Sequence, residues 1–180
     1  MSTPLKMRAT LFGKHPSSSE YLNIGPRSDF MNAVMQWVEK GYETLLLNRT
    51  VQHSEKCHHF AFFNEKQRTM ICGSMKSSQD KRGRKYPLVI AVEVSERPRS
   101  WRSEEMLAFS KEIARKITVI FQESSDLSGF KAQLEQLSAY ELPDTAQEKM
   151  PSALIMSEEF SEVKLFYRPL EVDDYIETVR

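Results

Sequence analysis

The stretch SSQDKRGRKYPLVIAVEV, residues 77–94, joins a basic segment to an apolar run and decides how the rest of the chain is interpreted. The apolar run LVIAVEV, residues 88–94, is typical of a strand that is covered on both faces of a sheet. Pro87 stands immediately before the run and Gly83 lies shortly before Pro87, and both residues favour a turn that leads into the strand. The stretch therefore predicts a shaped loop followed by a central strand.

Upstream of this stretch, alternation predicts a strand and apolar spacing predicts a helix. RATLF, residues 8–12, alternates as a strand does and ends at the turn GKHP. The polar segment SSSEYLNIGP, residues 17–26, is typical of a loop. Ser28 is placed to cap a helix over residues 29–47. One apolar stripe follows that helix at steps of three and four, formed by Phe30, Val34, Trp37, Val38, Gly41 and Leu45.

A hairpin and two further helices are expected around the same stretch. CHHFAFF at residues 57–63 and TMICGSM at residues 69–75 flank the polar turn NEKQR, which is typical of a hairpin. Ser103 is expected to cap a long helix over residues 104–124. The apolar stripe of that helix consists of Met106, Phe109, Ile113, Ile117 and Ile120. A shorter helix is expected to end before Pro143.

The end of the chain predicts two strands and a final helix. SALIM at residues 152–156 and VKLFY at 163–167 resemble strands, and EVDDYIETV at 171–179 resembles a helix. The spacing from Thr145 to Glu148 matches a capping box for another short turn. The order of all these elements predicts a mixed α/β fold, with helices on both faces of a mixed, largely antiparallel sheet.

Length and charge narrow the class of protein. A chain of 180 residues is expected to form one domain. Lys and Arg together number 25, as do Asp and Glu, so no overall charge attracts the chain to DNA or to anionic lipid. Two cysteines are too few for a disulfide framework and suit a reducing compartment. The N-terminus lacks a signal-like apolar core and no long apolar run occurs, so a soluble, intracellular protein is expected.

The turn after the first strand contains Gly13 and Lys14, a pair also found in phosphate-binding loops. Such a loop requires a second glycine upstream and a hydroxyl residue directly after the lysine, where this chain has His15. The pair therefore predicts an exposed turn rather than a nucleotide site.

The candidate metal ligands are Cys57, His59 and Cys72. Cys57 and His59 are expected to share one face of a strand, and Cys72 lies on the other strand of the hairpin. Three ligands are fewer than the four that zinc prefers, so half-buried strand residues are the simpler interpretation. A small hydrolase or metal-binding enzyme that uses Asp80 or this group stays open as an alternative.

The segment from Lys76 to Lys85 holds five bases and one acid, which gives a local charge of +4. The acid is Asp80, and we expect it to accept hydrogen bonds from loop amides and to pair with Arg82 or Arg84. Guanidinium groups fixed in this way suit docking to a carboxylate-rich or phosphorylated partner. A nucleic-acid-binding module stays open as a second alternative, although the segment lacks the interleaved aromatic residues on which bases stack.

Several short motifs together resemble the TagF (ImpM) family, whose members are associated with bacterial type VI secretion. The stretch around residue 80 is similar to the family signature at Ser78, Asp80, Gly83, Arg84, Pro87 and Leu88, and conservatively at Lys81 and Tyr86. The opening motif of the family is matched by Phe12, Gly13, Lys14 and Pro16. A tryptophan-to-glycine spacing in the first helix is matched by Trp37 and Gly41.

The resemblance implies a fold and a function. It implies a single domain over residues 1–180, with a motif-bearing half at 8–95 and a helical and late-strand half at 101–180, folded as a three-layer α/β/α sandwich. It also implies a cytoplasmic accessory protein that is not an enzyme and uses no cofactor or metal. Members of the family resemble negative, post-translational regulators that bind a forkhead-associated scaffold protein. The neutral charge and the lack of a long apolar run predict no binding of nucleic acid and no direct insertion into a membrane.

The resemblance and the loop chemistry together predict the residues of a docking surface. The predicted protein-binding or loop-shaping residues are Gly13, Lys14, Pro16, Trp37, Ser78, Asp80, Lys81, Arg82, Gly83, Arg84 and Pro87. Because the Gly13–Pro16 turn ends a strand and the Ser78–Arg84 loop precedes one, both are expected at one edge of the sheet. Replacement of Arg84 by alanine is expected to weaken partner binding and to leave folding intact.

Overall fold

The computed structural model describes residues 6–48, 56–95, 103–123, 126–138, 153–156 and 163–166. These ranges form seven strands and three helices, in the order β1 (Lys6–Gly13), β2 (Leu22–Ile24), α1 (Asp29–Leu47), β3 (Cys57–Asn64), β4 (Thr69–Lys76), β5 (Leu88–Ser95), α2 (Ser103–Glu123), α3 (Leu127–Leu137), β6 (Ala153–Met156) and β7 (Val163–Phe166). The strands form one sheet with the order β2-β1-β5-β4-β3-β6-β7. The predicted mixed α/β class is confirmed.

Every pairing between neighbouring strands in the described ranges is antiparallel. The expectation of a largely antiparallel sheet is confirmed, whereas its description as mixed is wrong for this part of the chain. The reason is local, because β3, β4 and β5 follow one another through connections too short for the crossover that a parallel pair requires. The hairpin predicted around NEKQR is the β3–β4 pair.

Strand β5 lies between β1 and β4, and its two faces enter two different apolar clusters. One cluster, shared with buried residues of α2 and α3, contains Leu88, Ile90, Val92 and Val94. The other cluster, shared with α1, contains the alternating residues Val89 and Ala91. The prediction that this strand is covered on both faces is confirmed. The complete three-layer sandwich stays a prediction, since residues 139–152 and 167–180 lie outside the described ranges.

Helix α1 begins where the sequence predicts. Ser28 is its N-cap, and the Ser28 hydroxyl accepts a hydrogen bond of 3.0 Å from the backbone nitrogen of Met31. The predicted stripe is confirmed from Val34 onward, while Met31 rather than Phe30 is fully buried at the start. The buried residues of the helix are Met31, Val34, Trp37, Val38, Gly41, Tyr42 and Leu45.

Helices α2 and α3 cover the other face. Helix α2 begins at Ser103 itself, one residue earlier than expected, and all five residues of its predicted stripe are buried. Helix α3 is the expected shorter helix, and Asp126 is its N-cap through a hydrogen bond of 2.8 Å from the backbone nitrogen of Gly129. Strands β6 and β7 confirm the two late strands.

One short strand lies where a loop was expected. The composition of residues 17–26 predicts a polar loop, but Leu22–Ile24 forms β2 against the edge of β1. Three residues are too few to show alternation, so the neighbouring strand decides the conformation here. The expected capping box from Thr145 to Glu148 and the final helix at 171–179 lie outside the described ranges. None of the described helices is long and apolar enough to cross a membrane.

Candidate functional site

Two loops meet at one end of the sheet and form the candidate site, which we call the two-loop corner. Residues 14–21 connect β1 to β2, and residues 77–87 connect β4 to β5. They lie at the same end because Gly13, the last residue of β1, pairs with Leu88, the first residue of β5. The prediction that both motifs lie at one edge of the sheet is confirmed.

Gly13 allows the two loops to approach each other closely. Its φ is +116°, in the region that residues with a side chain rarely adopt. A Cβ atom at Gly13 would collide with the carbonyl oxygen of Pro87. The glycine of the first motif and the proline of the second motif are therefore one contact, although they are far apart in the sequence.

Asp80 anchors the second loop from inside. It is 2% exposed, and its Oδ1 accepts hydrogen bonds of 2.9 Å from the backbone nitrogens of both Arg82 and Arg84. Its Oδ2 accepts a hydrogen bond of 2.6 Å from Nε of Arg84, and Nζ of Lys14 lies 3.7 Å from the same oxygen. The prediction that Asp80 ties the loop amides and pairs with an arginine is confirmed, and the arginine is Arg84.

These partners keep the Asp80 carboxyl ionised. Burial alone would raise its pKa, but the hydrogen bonds from Arg84 and Arg82 and the positive charge of Arg84 outweigh burial. The pKa of Asp80 is consequently held below its usual value. A carboxylate whose two oxygens already accept three hydrogen bonds is suited to hold a loop rather than to remove a proton from a substrate.

Backbone hydrogen bonds close the rest of this loop. The backbone nitrogen of Asp80 donates to the carbonyl oxygen of Arg84 at 3.0 Å, and that of Gly83 donates to the carbonyl oxygen of Asp80 at 2.9 Å. Gly83 has a φ of +79°, as the sequence predicts for a turn. The backbone nitrogen of Tyr86 donates to the carbonyl oxygen of buried Ser78 at 3.1 Å. The loop therefore has one defined shape.

Two further hydrogen bonds join the two loops of the corner. The backbone nitrogen of Lys81 donates to the carbonyl oxygen of Ser18 at 2.8 Å. Nη2 of Arg84 donates to the carbonyl oxygen of Ser19 at 2.7 Å. Arg84 thus bridges the carboxylate of Asp80 and the first loop, even though its side chain is 53% exposed. Sequence reasoning missed this link, because a backbone carbonyl acceptor leaves no signal in the residue types.

The five bases of the segment divide into two groups. Arg84 and Lys76 have partners in the chain. Nε of Arg84 donates to Asp80 within the corner, and Nζ of Lys76 donates to the carbonyl oxygen of Phe121, near the end of α2, at 3.2 Å. The remaining bases, Lys81, Arg82 and Lys85, are exposed, and within the described residues their side chains form no ion pair. The exposed charge of the corner is therefore concentrated on these three side chains.

Aromatic residues pack together directly after the charged segment. The ring of Tyr86, which follows Lys85, packs against Tyr21 with a centroid distance of 5.3 Å and against Tyr42 with one of 5.0 Å. Tyr42 is buried, whereas Tyr21 is 42% exposed. Tyr21 lies two positions after Ser19, the residue held by Arg84, and was not among the predicted site residues.

The first loop contains a serine–histidine pair that the sequence did not reveal. Oγ of Ser17 lies 2.6 Å from Nδ1 of His15, and the backbone nitrogen of Ser17 donates to the same Nδ1 at 3.2 Å. Nδ1 is therefore an acceptor, and both donors come from one residue of the same turn. Burial, and secondarily the charge of Lys76, lowers the pKa of His15, while Asp126 opposes this shift. The ring also packs edge-on against Phe130, so the pair closes a turn and attaches it to α3.

The candidate metal ligands lie within the β3–β4 hairpin, where Cys57 pairs with Lys76 at the end next to the corner. His59 pairs with Ser74 in the register, and Oγ of Ser74 lies 2.6 Å from Nδ1 of His59. Cys72 pairs with Ala61 and therefore does not lie opposite His59 in the hairpin. Burial raises the pKa of its thiol. No group of three metal-ligating side chains converges in the described part of the chain.

The other predicted site residues occupy different places. Lys14 is half-buried against Asp80, and Pro16 is exposed in the first loop. Trp37 lies in the cluster beneath α1, where its ring packs against Phe60 and Phe62 with centroid distances of 6.1 and 5.3 Å. The predictions that these residues bind a partner or shape a loop stay predictions. Trp37 is the one whose described contacts belong to the core.

Fold and corner define a class of protein, a mixed α/β domain with two loops clamped by a buried carboxylate. Residues 10–137 match the family model of the TagF N-terminal domain, described as type VI secretion system-associated. Because the match covers more than half of the chain, the protein belongs to this family. The crystal structure of PA0076 from Pseudomonas aeruginosa PAO1 is similar, with a TM-score of 0.65 and 11% identity over 95% of this chain and 93% of that chain. At this identity, the likeness concerns the fold alone. None of the curated proteins matches the chain.

Proposed function

We propose that this protein is a post-translational regulator of type VI secretion, and that it represses assembly by binding a forkhead-associated scaffold protein of the secretion system. The observation that carries the proposal is the family match over residues 10–137, which includes both loops of the two-loop corner. The proposal includes a cytoplasmic location and a single domain with the three-layer arrangement.

The chemistry of the corner supports binding rather than catalysis. Both oxygens of Asp80 are taken by donors of its own chain, and the pKa of Asp80 is lowered, so the carboxylate is a weak base. The raised pKa of Cys72 keeps its thiol protonated and therefore unreactive as a nucleophile. Asp80 and His59, two of the residues of the enzyme alternative, thus have structural partners in the chain itself.

The shape of the corner supports a protein partner. Hydrogen bonds between the loops fix the backbone before any partner arrives, so little conformational entropy remains to be lost on binding. Two charged, hydrogen-bonded loops at one end of a sheet suit recognition of another polypeptide.

The direct test is association with the scaffold protein. The purified chain and the forkhead-associated scaffold protein of the same secretion system are mixed and separated by size-exclusion chromatography with light scattering. We expect one complex of defined mass, and we expect Asp80→Ala, which removes the anchor of the loop, to weaken it.

A second test uses cells. A strain that lacks the protein should secrete more type VI substrate, and overproduction of the protein should lower secretion. Absence of a complex together with unchanged secretion in both strains would refute the proposed function.

A further inference from the structure

We propose that the exposed side chains of Lys81, Arg82 and Lys85, with the ring of Tyr21 beside them, dock an acidic, carboxylate-rich peptide segment of the protein partner. This inference rests on the proposed function and specifies the chemistry of the partner. The surface has the charge, the rigidity and the aromatic contact that such a segment requires.

Among the residues that the structure describes, no acid forms an ion pair with the exposed cations of this surface. Asp80 is the only acid of the segment, and its charge is balanced inside the corner by Arg84, with Lys14 nearby. The three outward cations have no ion pair among the described residues. Glu20 is the acid next to the surface, and its Oε1 lies 3.5 Å from Oγ of Ser19 in the first loop. Counted over the described residues, this face therefore has a net positive charge.

The cations are carried on a fixed backbone. The backbone nitrogen of Arg82 donates to Oδ1 of Asp80, and that of Lys81 donates to the carbonyl oxygen of Ser18. Lys85 forms an isolated β-bridge with Gln79. Each cation therefore starts from a defined Cα position, so a partner carboxylate loses less entropy on meeting it. Arg82 in addition offers a planar fork that binds one carboxylate through two parallel hydrogen bonds.

Tyr21 supplies an apolar contact at the edge of the charged surface. Its ring is held edge-on by Tyr86, so its exposed part has a fixed orientation. Tyrosine and arginine are enriched among the residues that carry most of the energy at interfaces. We therefore expect the acidic segment to include an apolar residue that packs on this ring.

The arrangement favours an acidic peptide over nucleic acid. Binding to single-stranded nucleic acid uses a groove of cations that follows the backbone and several rings on which successive bases stack. The corner offers three cations on one short loop and one exposed ring. The chain also has no net charge that would add long-range attraction to phosphates.

The probe is a fluorescein-labelled peptide of alternating Glu and Asp residues with one central Leu, measured by fluorescence anisotropy. The matched control peptide carries Gln and Asn at the acidic positions. We expect the acidic peptide alone to bind, and we expect Arg82→Ala to weaken binding by about five- to tenfold. The triple variant Lys81→Ala, Arg82→Ala, Lys85→Ala should bind no better than the control peptide.

Two controls show whether a loss of peptide binding comes from these side chains, from a general change of charge or from unfolding. Lys66→Ala removes an exposed lysine in the β3–β4 turn, at the other end of the sheet, and should leave binding unchanged. All variants should unfold at the temperature of the wild type, because the removed side chains have no described partners. Equal binding of both peptides, or an equal loss in Lys66→Ala, would overturn the inference. Tighter binding of a single-stranded DNA of equal charge, or of phosphatidylglycerol vesicles, would overturn it as well.

The same variants distinguish this inference from the proposed function. If the triple variant binds the scaffold protein as tightly as the wild type, the docking surface is wrong and the proposed function stands. If the wild type binds the acidic peptide through these side chains but does not bind the scaffold protein, and secretion is unchanged in both strains, the surface stands and the proposed function is wrong.

Discussion

Gly13, at the end of β1, lies against Pro87 of the second loop, and its replacement by alanine tests that contact. Its φ of +116° is rarely adopted by residues with a side chain, and an added Cβ would collide with the carbonyl oxygen of Pro87. A forced positive φ costs about 1–3 kcal/mol, and overpacking costs about 1–3 kcal/mol more. We therefore expect Gly13→Ala to lower the free energy of unfolding by about 2–6 kcal/mol.

Two other glycines separate these two costs. Gly83 has a φ of +79° and no heavy atom within 4 Å of an added Cβ, so Gly83→Ala should cost only the backbone term of about 1–2 kcal/mol. The φ of Gly73 lies outside the left-handed region, but an added Cβ would lie 2.6 Å from the carbonyl oxygen of Ile90 and 2.7 Å from Cζ of Phe60. Gly73→Ala should therefore cost only overpacking, about 1–3 kcal/mol.

The assay is urea and thermal unfolding of the wild type and the three variants, followed by circular dichroism. A loss of about 4 kcal/mol in Gly13→Ala corresponds to a fall in melting temperature of roughly 8–16 °C for a chain of this size. The loss in Gly13→Ala should exceed the loss in Gly83→Ala by the cost of the collision. Equal losses in these two variants would refute the close approach of Gly13 to Pro87.

The remaining predictions concern Asp80, its arginine neighbours and a buried thiol. Because the folded-state pKa of Asp80 is lowered, its carboxylate stabilises the fold above the ordinary Asp pKa of about 3.9, and this stabilisation is lost as the pH falls through the lower folded-state pKa. Melting temperatures measured against pH should show this acid loss in the wild type and not in Asp80→Asn; parallel curves would contradict it. Arg84→Ala should lower both the melting temperature and the affinity for the partner, since Arg84 bridges both loops. Arg82→Ala should lower the affinity alone. Identical melting curves for the two variants would count against the bridge. Cys72 should resist iodoacetamide at pH 8 in the native protein and react in urea, as measured by mass spectrometry, because burial raises its pKa; rapid labelling of the native protein would show that the thiol is accessible.

Arg84 has two acceptors, and the sequence predicts only one of them. Its pairing with Asp80 could be predicted, since an acid among bases at a turn has few other partners. Its hydrogen bond to Ser19 could not, because the acceptor is a backbone carbonyl that any residue type would offer. Arg84 consequently becomes a positioning residue, and Arg82 becomes the better probe of docking.

Local periodicity explains which parts of the fold were predictable. The strand at 88–94 and the stripe from Met106 to Ile120 repeat over enough residues for their period to be recognised. Strand β2 has three residues and depends on the edge of β1, so its own sequence predicts a loop. Tyr21 joins the site only because the loops fold against each other, which brings its ring to Tyr86. Long-range contacts of this kind are absent from any local pattern.

The link between Lys81, Arg84 and the first loop has a consequence for how this corner can diversify. Both bonds end on main-chain oxygens, those of Ser18 and Ser19. The Ser18 hydroxyl also accepts a hydrogen bond of 3.1 Å from the backbone nitrogen of Glu20, so the residue type matters there. Replacement of Ser19 by a charged or apolar residue would change the surface of the corner while the bond from Arg84 stayed in place. Relatives with the same framework could in this way acquire different partners, changing what the corner recognises without rebuilding what supports it.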